Sequence, residues 1–272
     1  MQSTDEKARP AGAGQSHSEI QHVVAVMSGK GGVGKSLVSG LLAVSLRRRG
    51  HEVGILDADI TGPSIPKMFF VNGAYPEPTA EGLLPCRTPT GIKVMSINLL
   101  LTSEDQAVIW RGPLISNAIK QFWTDVVWGK LDYLIVDLPP GTSDASLTVL
   151  QSLPMSGVVL VTSPQDLAGM VVRKAAYMVQ QLKTPLLGLV ENMSYFTCPE
   201  TDKRYEIFGP SHAEATATRL GTTLLGHLPI LPGLAELCDR GAIETYDGEA
   251  FTAIADALAR IIPPARAPLM EQ

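Results

Sequence analysis

The sequence predicts an α/β fold, a doubly wound, mainly parallel sheet of about seven strands with helices on both faces. Three observations carry that prediction. Seven short apolar runs are β-branched and nearly continuous rather than alternating, as strands covered on both faces require. Longer amphipathic stretches follow several of them, and helical crossovers of that kind join parallel neighbours. The first run ends in "GKGGVGKS" at 29–36, a glycine-rich phosphate loop that opens the first helical stretch.

In chain order, residues 1–20 are rich in Ser, Ala, Gly and charge and are expected to form a flexible tail. The strands are then "HVVAVMS" (22–28), "EVGILDA" (52–58), "IKVMSI" (92–97), "DYLIVDL" (132–138), "GVVLVTS" (157–163), "LLGLVEN" (186–192) and "TLLGHLPI" (223–230). Helices are expected at 34–49, 113–127, 144–153, 165–182 and 248–262. The first of these places Leu37, Leu41 and Val44 on one face. It ends in "RRRG", with cations in the last turn and Gly50 just beyond. The segment 71–91 is dense in Pro and Gly and reads as a long excursion with a short edge hairpin. Periodicity gives no internal repeat and no second domain, so 21–263 is assigned to one domain and 264–272 to a second tail.

The chain has 272 residues, a net charge of -5, 45% hydrophobic and 18% charged residues, which is ordinary for a folded protein. That balance gives no general electrostatic footprint for nucleic acid. Cys86, Cys198 and Cys238 are too few and too scattered for a disulfide framework. The polar N-terminus has no apolar core segment of a secretory signal, and no apolar run approaches a membrane span of ~18–20 residues. The expectation is a cytoplasmic protein with neither nucleic acid nor membrane as partner.

Gly29, Lys30, Gly31, Gly32, Val33, Gly34, Lys35 and Ser36 fill the pattern G-x-x-x-x-G-K-[ST] between a strand and a helix. Backbone N–H groups there form a concave anion site, and the glycines let phosphates approach. Lys35 is placed to contact the β- and γ-phosphates, and the Ser36 hydroxyl to ligate Mg²⁺. Acidic partners are expected from other strand ends on the same sheet edge. "YLIVDLPPG" supplies Asp137 for Mg²⁺, directly or through water, and Gly141, whose N–H faces the γ-phosphate. "ILDADITGPS" supplies Asp57 and Asp59. A single acidic strand end is often a turn former; three beside a complete phosphate loop make a site. Asn192 ends another strand on the edge where ligands of open sheets collect, with a turn-capping role as the alternative. Lys30 is not required by loop geometry, and a solvated lysine would serve there equally well. In "WRGP" (110–113), Pro113 suits a helix start and Arg111 is given no role.

With its two lysines, "GKGGVGKS" resembles the deviant phosphate loop of the MinD/ParA/nitrogenase-iron-protein class. The resemblance implies that Lys30 crosses a dimer interface to the partner's nucleotide. There it would stabilise developing phosphate charge when two ATP-loaded subunits meet. Within that class the chain is similar to the Mrp/ApbC-type iron–sulfur cluster carrier ATPases from about residue 20 to 260. The stretches that carry this are "DADITGPSIPKMF", "VIWRGPLISNAIKQFWTDVVWGKLDYLIVDLPPGTSDASLTVLQ", "VTSPQDLA", "GLVENMSYFTCP" and "YEIFG". The resemblance implies that Asp59 orients the attacking water, that Asp137 is the Walker-B aspartate and that Asn192 reads adenine. It also implies a homodimer that hands its cluster to apo iron–sulfur proteins.

Two departures stand out. The family pattern has C-x-x-C after "ENMS", but "TCPET" has Cys198 with Thr201 at the second position. A [4Fe–4S] cluster wants four thiolates, and two copies of Cys198 supply two. Either a bridging cluster completes its shell with Cys238, an external thiol or an oxygen ligand, or Cys198 is residual. In the latter case the protein is a MinD/ParA-like nucleotide switch, a positioning or scaffold ATPase without a cluster. Relatives also commonly carry an acid at the position of Val171, and in some related ATPases that acid pairs with the signature lysine; Val171 cannot. The basic amphipathic terminal helix or basic face that a membrane- or DNA-bound switch would use is missing from "ALARIIPPARAPLMEQ", which Pro263-Pro264 break.

Overall fold

A computed structural model describes residues 18–263 apart from 60–61, 63, 72–73, 97–98 and 100–111. Arg111, most of the first expected tail and all of the second lie outside the described residues. In chain order the elements are β1 (Ser18–Ser28), α1 (Lys35–Arg48), β2 (Val53–Asp57), α2 (Ile65–Phe69), β3 (Glu77–Pro78), β4 (Leu83–Leu84), β5 (Cys86–Arg87), β6 (Lys93–Ser96), α3 (Gly112–Thr124), β7 (Gly129–Asp137), α4 (Asp144–Ser152) and β8 (Gly157–Thr162). They continue with α5 (Asp166–Gln181), β9 (Leu186–Thr197), β10 (Arg204–Tyr205), α6 (Ala213–Leu220), β11 (Leu224–Pro229), α7 (Pro232–Asp239), a 3₁₀ turn at Ile243–Thr245 and α8 (Glu249–Ile261).

The seven expected strands form the parallel body of one sheet, in the order β11-β9-β8-β1-β7-β2-β6. Two short antiparallel strands complete its nine, β5 on the outer edge of β6 and β10 on the far end of β9. Both faces are covered, which is why the strands read as unbroken apolar runs. Val24, Val26, Ile55 and Ile135 face α1, α2, α7 and α8 in one core. Val23, Ala25, Met27, Leu134 and Val136 face α3 to α6 in the other. Each such Val, Ile or Leu, fully buried, contributes roughly 1.5–3 kcal/mol relative to exposure.

Some boundaries moved, for identifiable reasons. β1 begins at Ser18, so the last residues of the expected tail are strand. Ser18 and Glu19 pair with Gly129 and Lys130, and the Ser18 hydroxyl donates to the Val126 carbonyl at 3.2 Å. The helix expected to reach 127 stops at Thr124, because Val126 bridges Leu83 and Trp128 is wholly buried. The excursion does carry a hairpin, β3–β4, closed by Thr79 N–H to Gly82 O at 2.8 Å. The same region contributes β5 to the main sheet.

The phosphate loop and the sheet edge around it

β1 delivers the loop to the sheet edge at Ser28, and α1 leaves it at Lys35. The loop is held from three sides. Gly34 lies in the left-handed region at φ 80°, and a Cβ there would come within 2.2 Å of Asn192 Nδ2, so glycine is required twice over. Asn192 uses that same amide to donate to the Val33 carbonyl at 2.9 Å. Gly29 lies against α5, where a Cβ would meet the Val171 carbonyl carbon at 2.6 Å. The Gly141 N–H donates to Ser28 O at 3.0 Å, so a phosphate contact from Gly141 needs that bond to open.

Within the loop Lys35 points inward. Its ammonium lies 2.8 Å from Asp137 Oδ2, and both groups are buried. Ser36 donates to the same oxygen at 2.6 Å, and Ser39, one turn along α1, donates to Asp137 Oδ1 at 2.7 Å. Asp59 Oδ2 is 4.0 Å from Lys35. Asp57 sits beside Asp137 in the β2–β7 register and plays a different part. It accepts from the backbone N–H groups of Asp59 at 3.1 Å and Ile65 at 3.2 Å, and so shapes the turn that carries Asp59. Burial, and then the charge of Asp137, push its carboxyl well above the usual carboxylate range. A cavity of about 310 Å³ opens here, lined by Gly31, Gly32, Gly34, Lys35, Ser36 and Asp59 among others. Ser36 Oγ lines it and Asp137 Oδ2 lies directly behind, hard oxygen donors that suit Mg²⁺, which takes few protein ligands and keeps waters.

A larger, predominantly apolar cavity of about 460 Å³ shares Leu37, Ser64 and Met68 with the first. Asn192 and Met193 line it on one side, Leu231 and Leu234 on another. Asn192 and Met193 sit at an irregularity of β9. His227 pairs with Glu191 and Pro229 with Tyr195, so β9 uses more residues than β11 over that interval, and Met193 takes φ 58°. A bulge of this kind re-aims side chains.

Lys30 is not among the residues that line the phosphate cavity. Its ammonium donates to Gln165 Oε1 at 2.7 Å. Cys198 follows β9 in the tight turn to β10, where its N–H donates to Lys203 O at 3.0 Å and its carbonyl accepts from Asp202 N–H at 2.9 Å. The Thr201 side chain, then the Glu200 N–H, hydrogen-bond its sulfur and lower its pKa. Burial raises the thiol pKa of Cys86 in β5 and of Cys238 in α7. Among the described residues no three His, Cys, Asp or Glu side chains group as a metal site.

Three features escaped the sequence. Ser39 lies three residues after Ser36 on one helical face, a spacing that was there to be read. Gln165 is brought to Lys30 only by the fold. The stretch 229–239 is brought to the apolar cavity beside the loop by the β9–β11 pairing.

Comparison with known proteins adds the rest. Residues 19–262 match the family described as "ParA: NUBPL iron-transfer P-loop NTPase". A protein of Clostridium perfringens named iron-sulfur cluster carrier protein is 44% identical over 247 residues, covering 88% of this chain and 87% of that one. One of the same name from Methanocaldococcus jannaschii is 47% identical over 225 residues, covering 82% and 78%. A nucleotide-binding protein from Archaeoglobus fulgidus, solved in complex with ADP, superposes with a TM-score of 0.77 at 46% identity, covering 85% and 91%. The cell division ATPase MinD of Pyrococcus furiosus shares the fold, with a TM-score of 0.64 at 20% identity, covering 88% and 99%.

Proposed function

This chain belongs to the family of NUBPL iron-transfer P-loop NTPases, and on that premise we propose that it is a Mg²⁺-dependent ATPase that, as a homodimer, carries an iron–sulfur cluster to apoproteins. The observation that carries the nucleotide half is the hydrogen-bonded set of buried Lys35, Ser39 and Asp137 with half-buried Ser36 in a complete phosphate loop. Lys35 leaves Asp137 for the β- and γ-phosphates, Ser36 and Asp137 hold Mg²⁺, and the loop amides of 29–34 cradle the phosphates. Bound there, Mg²⁺ would supply charge neutralisation at the phosphates. Asp59 positions the attacking water, and Asn192 offers its amide to adenine in the adjoining apolar cavity. Lys30 acts on the partner's nucleotide; its side chain turned away from its own phosphate cavity favours that reading. Cys198 is the cluster ligand from each subunit.

The test pairs calorimetry with anaerobic reconstitution. Lys35→Ala is expected to forfeit roughly 1.5–3 kcal/mol of Mg-ATP binding, a buried charge-assisted contact. ATP affinity unchanged from wild type in that variant would sink the nucleotide site. Cys198→Ser is expected to abolish reconstituted iron and sulfide while leaving ATP binding intact. One observation favours the second reading, a nucleotide switch without a cluster: the group beside Cys198 is the Thr201 hydroxyl rather than a second thiol. A wild-type protein that binds ATP but takes up no iron supports that reading.

A further inference from the structure

We propose that Gln165 is a resting-state latch for Lys30, holding its ammonium within its own subunit by a neutral hydrogen bond until a nucleotide-loaded partner takes it. This rests on the ATPase reading above and concerns the step before the dimer closes. The 2.7 Å contact from Lys30 Nζ to Gln165 Oε1 is produced by the packing of the loop on α5. With a Gly29 Cβ position only 2.6 Å from Val171 C and 2.7 Å from Val172 N, the loop's first residue lies directly on the helix backbone. Gln165, the residue that caps α5 in extended geometry (φ -60°, ψ 132°), stands beside the next loop residue, Lys30. Val171, further along the helix, brings no charge to the ammonium.

The chemistry of the acceptor sets the strength of the latch. An amide oxygen accepts a proton from the ammonium and orients it, without the attraction between two full charges. At an exposed position such a contact is easily exchanged for another. A γ-phosphate in a facing subunit, with several anionic oxygens, out-competes it. A carboxylate at 165 would not yield so readily.

Turnover of Mg-ATP by full-length wild type, Gln165→Glu, Gln165→Ala, Lys30→Ala and the Lys30→Ala/Gln165→Glu double variant tests this. Gln165→Glu should lower kcat by about three- to tenfold with KM for ATP within about twofold, because the ion pair opposes the transfer of Lys30 and not nucleotide binding. Raising salt should restore much of that loss, since exposed ion pairs are screened. Gln165→Ala should turn over at or above the wild-type rate, and the double variant should match Lys30→Ala. A Gln165→Glu variant as fast as wild type, or a Gln165→Ala variant as slow as Lys30→Ala, overturns the latch. The contact has its own readout in the nucleotide-free protein, where the ¹⁵N resonance of the Lys30 ammonium should move on Gln165→Ala. An unmoved resonance overturns the latch whatever the rates. Wild-type protein inert toward ATP, with the resonance shift present, overturns the ATPase reading and leaves the contact standing.

Discussion

A hydroxyl keeps company with the Cys198 thiol, and that one contact changes its chemistry. Hydrogen bonds from Thr201 and the Glu200 N–H favour the thiolate and lower the pKa of a sulfur that sits in an open turn. Cys86 and Cys238 are shifted the other way by burial. At neutral pH a limiting dose of iodoacetamide should therefore label Cys198 first, read by peptide mass spectrometry. The pH midpoint of its alkylation should lie below the ordinary thiol range and rise in Thr201→Val. Equal labelling of the three cysteines, or a midpoint indifferent to Thr201→Val, would show that the contact does not tune the thiol. Thr201, conspicuous in the sequence as a missing cysteine, thus acts on the thiol that remains.

Asp57 shows how one buried carboxyl group can organise an element. It ends β2, accepts two backbone N–H groups from the turn beyond, and fixes the start of α2 at Ile65. Its carboxyl pKa is raised in the folded state by burial and by Asp137. The native state therefore holds that proton more tightly than the unfolded chain does. The resulting stabilisation is greatest below the unfolded carboxylate pKa of about 3.9 and declines as pH rises toward the folded value. Urea unfolding of wild type and Asp57→Asn should accordingly diverge in favour of Asn between pH 4.5 and 7. A constant difference would mean that Asp57 is ionised in the fold at both pH values. By residue type Asp57 and Asp59 were two acids at one strand end, and only the family resemblance singled out Asp59; the hydrogen bonds are what show Asp57 organising the turn. What was legible was local. The phosphate loop lies within eight residues, and the seven parallel strands announce themselves by nearly continuous apolar runs. What was not legible depended on distant pairing or short, small-residue faces: α6, "AEATATRL", buries only Ala213 and Ala217, α7 is brief and opens with Pro232, and the end of β9, "MSYFT", mixes polar with apolar residues.

At the scale of the whole molecule, the chain holds Lys35 against Asp137 and its second lysine, Lys30, against Gln165. If Lys30 serves the opposite subunit, two inactive proteins should repair each other. Mixing Lys30→Ala with Asp59→Ala gives heterodimers with one site lacking both residues and one lacking neither. A random mixture of equal parts should then recover about one quarter of wild-type turnover, as follows for a two-fold symmetric dimer. No recovery despite mixed dimers seen by native mass spectrometry would place Lys30 in its own site, or require both sites to fire together. β9 also joins two of the proposed sites within one chain. It passes the apolar cavity at Asn192 and ends at Thr197, one residue before Cys198. The chain from Asn192 to Cys198 reaches at most about 20 Å even when fully extended. Under the proposed function, a base at one end and iron at the other lie within that length, close enough to sense each other through space. A nucleotide carrying a fluorophore should therefore dim as iron is loaded, which makes this strand a built-in molecular ruler.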